Sequence, residues 1–193
     1  MAVQFHPKTV PTDEEIAYLN DRNAPLRFER SLEGELVVTP PAGNATSRRN
    51  ARLVALLTAW NDAHGYGKVY DSSGGFSLGF LRAPDAAWMS ATRASTIPPE
   101  QDEQYSSVSP ELVFEFISPS DRDRPAEPPK KAKEWVTAGV SLAVVLDPFQ
   151  RLATVHTQSG ALPPAYPTLT IDRTSLPGAD EDLVLDLAQI FDA

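Results

Sequence analysis

The chain has 193 residues, 41% of them hydrophobic, which suits one domain with a sizeable core. It contains no cysteine, which excludes disulfides, thiolate metal ligands and a cysteine nucleophile, and no apolar run reaches the roughly 18 residues of a membrane span. The formal charge of −9 argues against tight nonspecific binding to nucleic acid, and Met1-Ala-Val-Gln-Phe-His-Pro-Lys8 lacks the basic start and apolar stretch of a signal peptide, so the expectation is a soluble, cytoplasmic protein with no membrane partner.

Residues 1–25 are polar and interrupted by proline, with a short helix expected at 14–19 capped by Thr12 or Asp13. Residues 27–30 and 35–38 read as a hairpin whose turn, Ser31-Leu-Glu-Gly34, puts glycine where positive φ is tolerated. Pro40-Pro41 ends that unit. A helix is predicted over 46–64, because Leu53, Leu56, Leu57 and Trp60 recur at i, i+3, i+4 and i+7 and Gly65 and Gly67 follow. Strands are predicted at 68–70, 76–80 and 85–89, split by Ser72-Ser-Gly-Gly75, read as a hairpin turn, and by Pro84. A polar loop at 95–110 leads to the strand around Glu115, and a Pro-rich loop leads to a helix over 130–138 that ends at Gly139. Leu142-Ala-Val-Val-Leu146 and residues 151–157 form a second hairpin through Asp147-Pro-Phe-Gln150. After a short strand at 168–171, Leu183, Leu187, Ile190 and Phe191 suggest a closing amphipathic helix. The whole is a single mixed α/β domain over 1–193, with an N-terminal extension at 1–25, a core at about 26–157 and a closing segment at 158–193.

Two positions conflict with their surroundings. Glu115 sits among Val113, Phe114, Phe116 and Ile117, residues that favour a buried strand. A buried carboxylate is costly unless a metal ion, a basic partner or a proton compensates it. Asp85 repeats the conflict within Ala83-Pro-Asp-Ala-Ala-Trp-Met89. Two isolated acids in two apolar strands suggest one shared site. Adjacent strands lie roughly 4.8 Å apart, so such acids can share a hard cation such as Mg²⁺. That ion can generate a nucleophilic water and stabilise a leaving phosphate oxygen. The alternative has Asp85 ending a loop and Glu115 facing solvent at an edge.

Lys130, Lys131 and Lys133 precede Trp135 on one helix, either as a solvated face or with one lysine reaching the acids. If Trp135 packs inward, Lys131, four residues before it, shares that face, whereas Lys130 and Lys133 do not. Arg122 and Arg124 extend this basic stretch, and Arg48, Arg49 and Arg52 form another, so a positive patch survives the acidic total. Ser118-Pro-Ser120-Asp-Arg122 offers hydroxyls for phosphate or, more commonly, for capping. His6, His64 and His156 show no paired spacing. No phosphate-cradling glycine loop before a Lys-Ser/Thr pair is present.

Five stretches, Phe28-Glu-Arg-Ser-Leu-Glu-Gly-Glu35-Leu-Val-Val-Thr-Pro40, Pro84-Asp85, Pro110-Glu-Leu-Val-Phe-Glu115-Phe-Ile-Ser-Pro-Ser120, Lys131-Ala-Lys-Glu-Trp135-Val-Thr-Ala-Gly-Val140 and Val144-Val-Leu-Asp-Pro148, occur in an order that resembles the Uma-type putative restriction endonuclease family. That family is a branch of the PD-(D/E)XK nuclease superfamily. The resemblance implies a restriction-endonuclease-like α/β (mixed α+β) core, a central mixed sheet flanked by helices. It also implies a nuclease that cleaves phosphodiester bonds with Mg²⁺ or Mn²⁺, nucleic acid (DNA ahead of RNA) being the partner. On that resemblance Pro84-Asp85 is the superfamily's Pro-Asp, Glu115 is its second acid, and the two would hold the metal. The usual lysine two residues later falls at Ile117; in this family it comes from the following helix, which points to Lys131. Glu35 matches a family acid near the site. Two departures stand out: no histidine lies in Gly43-Asn-Ala-Thr-Ser-Arg48, and Trp135 replaces the usual tyrosine. A catalytically weak nucleic-acid-binding or protein-interaction module, or a hydrolase of a small phosphorylated substrate, are the alternatives on the same fold. A homodimer is compatible with double-strand cleavage, which often uses two sites.

Overall fold

The computed structural model describes residues 3–119, 121 and 126–193. In chain order its first half runs β1 (Val3–Phe5), α1 (Asp13–Arg22), β2 (Arg27–Arg30), β3 (Leu36–Thr39), α2 (Asn44–His64), β4 (Gly67–Asp71), β5 (Phe76–Ser77), β6 (Leu81–Arg82), β7 (Ala86–Ser90) and α3 (Ala91–Ala94). The second half runs β8 (Leu112–Phe116), α4 (Glu127–Thr137), β9 (Leu142–Asp147), β10 (Leu152–Thr157), β11 (Gly160–Ala161), β12 (Thr168–Ile171), β13 (Leu183–Asp186) and α5 (Leu187–Phe191).

A six-stranded sheet in the order β11-β10-β9-β8-β7-β4 forms the centre. It is mixed: β8 and β9 pair in parallel, with α4 as the crossover, and the other pairs are antiparallel. Both faces of β7, β8 and β9 are buried, which explains why those strands read as continuous apolar runs. Strand alternation then assigns each residue to a face. Ala86, Trp88, Leu112, Phe114 and Val144 pack with Leu53 and Leu57 of α2 and with Leu187, Ile190 and Phe191 of α5. Ala87, Met89, Val113, Ala143 and Val145 pack on the other side with Ala132, Trp135 and Val136 of α4 and with Phe76 and Phe80. A five-stranded sheet, β1-β3-β2-β6-β5, lies beside α4's side of the molecule, and β12-β13 form a small third sheet.

Local chemistry sets the helix ends. Thr12 and Glu15 form a capping box at α1, with Thr12 Oγ1 accepting from Glu15 N at 3.2 Å and Glu15 Oε2 from Thr12 N at 2.8 Å. Gly65 ends α2 at φ 68°, where a side chain would be strained. Helix α4 starts three residues before the predicted Lys130, because Pro128 and Pro129 occupy its first turn, where the missing N–H groups have no intrahelical partner to lose.

Three expectations need correction. Ser72-Ser-Gly-Gly75 is not a hairpin turn: β4 pairs with β7 and β5 with β6, so the segment carries the chain between sheets. The predicted strand 76–80 is only β5, and Leu81–Arg82 forms a separate strand. Leu183 belongs to no helix. Residues 183–186 pair with β12, where Leu183 and Leu185 alternate inward, and the closing helix is confined to Leu187–Phe191. Among the described residues no helix is long and apolar enough to cross a membrane.

Candidate active site

Glu115 lies two residues beyond Val113 and therefore shares its face of β8, the face covered by α4. It is 5% exposed, and both its oxygens are engaged. Trp135 Nε1 donates to Oε1 at 2.7 Å and Lys131 Nζ to Oε2 at 2.8 Å. Trp135 and Lys131 are one turn apart on α4, so the packing that buries the indole also carries the ammonium to the sheet. Lys130 points elsewhere, toward Glu33 at 3.4 Å and Glu134 at 4.0 Å, and Lys133 is exposed.

Asp85 directly precedes β7 and continues the spacing of Ala87 and Met89. Its Oδ2 accepts from Phe116 N at 2.7 Å, so it is clamped to the β8 backbone next to Glu115. Its Oδ1 accepts from Asn50 Nδ2 of α2 at 3.1 Å. Asp85, Glu115, Lys131 and Asn50 line one cleft of about 550 Å³. The structure thus brings Asp85, Glu115 and Lys131 together. It does not bring Glu35 to them. Glu35 contacts Ser31 Oγ at 3.5 Å and His6 Nε2 at 3.3 Å, at the hairpin turn.

A second charged group supports the cleft wall. Arg82, 6% exposed, bridges Glu134 Oε2 at 2.8 Å and Glu29 Oε2 at 3.5 Å. Glu29 Oε1 accepts from Ala83 N at 3.1 Å, which pins the backbone leading into Pro84-Asp85. Sequence reasoning missed Glu29, Arg82, Glu134 and Asn50. A signal existed for Glu29, which pairs across the hairpin with the buried Val37, and for Asn50, which heads the inward stripe Leu53, Leu57, Asn61 of α2. Removing one member of a buried ion group strands the others, at a cost of about 3–5 kcal/mol. Arg82→Met should therefore lower unfolding free energy by about that amount in a urea titration. A loss below about 1 kcal/mol, the value of an exposed pair, would show the group to be solvated.

Ser118 N and Oγ both donate to Asp121 Oδ2, which is a local turn contact. Ser120, Arg122 and Arg124 lie outside the described residues. His64 ends α2, with its ring 5.0 Å from that of Tyr66.

Burial pushes the Glu115 carboxyl up to about 7; Lys131 opposes the rise and Asp85 adds to it. Burial pulls the Lys131 ammonium down, but Glu115, Glu29 and Asp85 outweigh it, so its pKa is raised and it stays charged at neutral pH. The consequence for stability has a definite sign. Between its ordinary value near 4.5 and about 7, Glu115 binds a proton more readily in the folded chain than in the unfolded one. That contribution is complete below pH 4.5 and disappears as pH rises through about 7. Melting profiles of the cation-free protein at pH 5 and pH 8 should show wild type losing up to about 3 kcal/mol more than Glu115→Gln. Parallel profiles would contradict this.

Mg²⁺ commonly takes one or two carboxylates, with water and substrate phosphate completing its shell. Asp85 and Glu115 on one cleft wall fit that donor set. Among the described residues no group of three His, Cys, Asp or Glu side chains gathers as a ready metal cage.

Comparison with known proteins bears on this geometry. The model of the family Uma2, described as "Putative restriction endonuclease", matches residues 13–188. A solved structure described as a putative nuclease belonging to DUF820 from Anabaena variabilis superposes with a TM-score of 0.70 at 15% identity, covering 94% of this chain and 98% of that one. At that identity the likeness speaks for the fold alone. No curated protein matches.

Proposed function

The chain belongs to the Uma2 family of restriction endonuclease-like proteins, and from that premise we propose that it is a metal-dependent nuclease hydrolysing phosphodiester bonds of nucleic acid, DNA ahead of RNA. The observation that carries this reading is the buried Glu115, held by Lys131 and Trp135 beside Asp85 in one open cleft. Asp85 and Glu115 are the residues that would hold Mg²⁺ or Mn²⁺, which when bound supplies an acidified water and charge stabilisation for the leaving oxygen.

The side chains have separable tasks. The Phe116 amide and Asn50 fix the rotamer of Asp85. Trp135 fixes one oxygen of Glu115 and leaves the other facing Lys131. Lys131, charged at neutral pH, is a hydrogen-bond donor rather than a base. It stabilises negative charge developing on phosphate, the task of a preorganised donor. Six acids and four bases line the cleft among the described residues, and that acid excess repels a polyanion. A divalent cation would thus bind before the nucleic acid.

The test is cleavage of plasmid, linear duplex, single-stranded DNA and RNA across Mg²⁺ and Mn²⁺ concentrations. Cleavage should require the cation and stop on chelation. Cleavage that survives chelation would refute metal dependence. Turnover of a small phosphodiester with every nucleic acid untouched would shift the reading to a small phosphorylated substrate.

A further inference from the structure

Asn50 carries an unexplained feature. Its Nδ2 donates to Asp85 Oδ1 at 3.1 Å, and its Oδ1 is buried with no partner among the described residues. The orientation of the amide is fixed by chemistry: a carboxylate only accepts, so the NH₂ must face Asp85 and the oxygen must be the free atom. A buried acceptor without a donor costs about 1–3 kcal/mol, and asparagine is itself a poor residue for a helix interior. Both costs fall at the seventh residue of a 21-residue helix, in the wall of the acid cleft.

An uncompensated neutral oxygen on a side chain bonded to Asp85, in the cleft that also holds Glu115, has the character of a hard-cation ligand. We infer that Asn50 is a third oxygen arm of the cation site, ligating the divalent ion through Oδ1 while its Nδ2 holds Asp85 in place. The inference rests on the acid-pair reading above. It adds a specific residue from α2, on the opposite side of the sheet from Lys131, so that elements from both faces would close on the ion.

The test is direct Mn²⁺ binding, read as loss of the free-ion electron paramagnetic resonance signal, with no substrate present. Circular dichroism and melting of each variant check the fold. Asn50→Leu removes both the oxygen and the donor, whereas Asn50→Asp keeps an oxygen, replaces the donor with a second acceptor and adds a negative charge beside Asp85. A ligand role predicts that Asn50→Leu weakens Mn²⁺ binding roughly tenfold or more and that Asn50→Asp binds as tightly as wild type or tighter. If both variants weaken binding equally, Asn50 acts only by orienting Asp85 and the ligand role is overturned. If both bind like wild type while Asp85→Asn does not bind, Asn50 has no part in the site. If Asp85→Asn itself binds like wild type, the acid pair is not the cation site, and that failure is distinguishable from the other two. Asn50→Asp is nearly isosteric, so the ligand role stays testable even if Asn50→Leu fails to fold.

Discussion

Asp85→Asn and Glu115→Gln should each lower cation-dependent cleavage on the order of 10³-fold, because a bound cation contributes several kcal/mol of transition-state stabilisation and about 1.36 kcal/mol corresponds to each factor of ten. Each substitution removes one negative charge from the cleft with little change in shape. Asp85→Asn retains the oxygen that accepts from the Phe116 amide, and Glu115→Gln retains an oxygen for Lys131 or for Trp135. Losses should therefore appear in cleavage and in Mn²⁺ affinity without loss of the fold. The double variant should be little worse than the worse single one, since residues acting on one ion are not additive. Asp85→Asn cleaving as fast as wild type under saturating Mg²⁺ would falsify the nuclease mechanism.

The central sheet was legible in the sequence because its strands obey simple rules. Apolar runs at 86–89, at 112–116 with Glu115 as the one break, and at 142–146 need burial on both faces, and the linking helix turns at Gly139. What the sequence hid depends on partners remote in the chain. Leu183 and Leu185 are inward residues of a strand, yet Leu183 with Leu187, Ile190 and Phe191 also falls at helical spacing over so short a run, and only pairing with β12 decides. Strand β6 is two residues long and has no local signal at all.

The same division holds at the site. Asp85, Glu115 and Lys131 are visible as charges in or facing apolar runs. Glu29, Arg82 and Glu134 compensate one another only in three dimensions, from β2, β6 and α4. Glu35 shows how register decides. The β2–β3 ladder pairs Arg30 with Leu36, so Glu35 falls in the turn beside Ser31, while Glu29 opposite Val37 points into the cleft wall. Gly34 fixes that register with φ 81°, and a side chain there would also collide with Val10 Cγ2 at 2.8 Å.

The lysine series separates a positioned ammonium from a diffuse basic patch. Lys131→Met should lower the cleavage rate by roughly 10²–10³-fold, the usual cost of losing one preorganised donor at developing charge. Lys133→Met should leave the rate within a small factor, since that side chain is exposed on α4. Lys130→Met loses pairs with Glu33 and Glu134 but no contact with Glu115, so a small effect is expected there too. Mn²⁺ affinity adds a second axis. Losing a cation beside the ion site cannot weaken metal binding electrostatically, but it removes the charge that holds the Glu115 carboxyl down. Metal binding by Lys131→Met should therefore need a higher pH than in wild type and reach at least the same affinity once Glu115 is ionised. Lys130→Met and Lys133→Met should keep the wild-type pH profile. Equal rate losses in all three variants, with unchanged profiles, would mean that the lysines serve only to attract phosphate and that Lys131 has no special place beside Glu115.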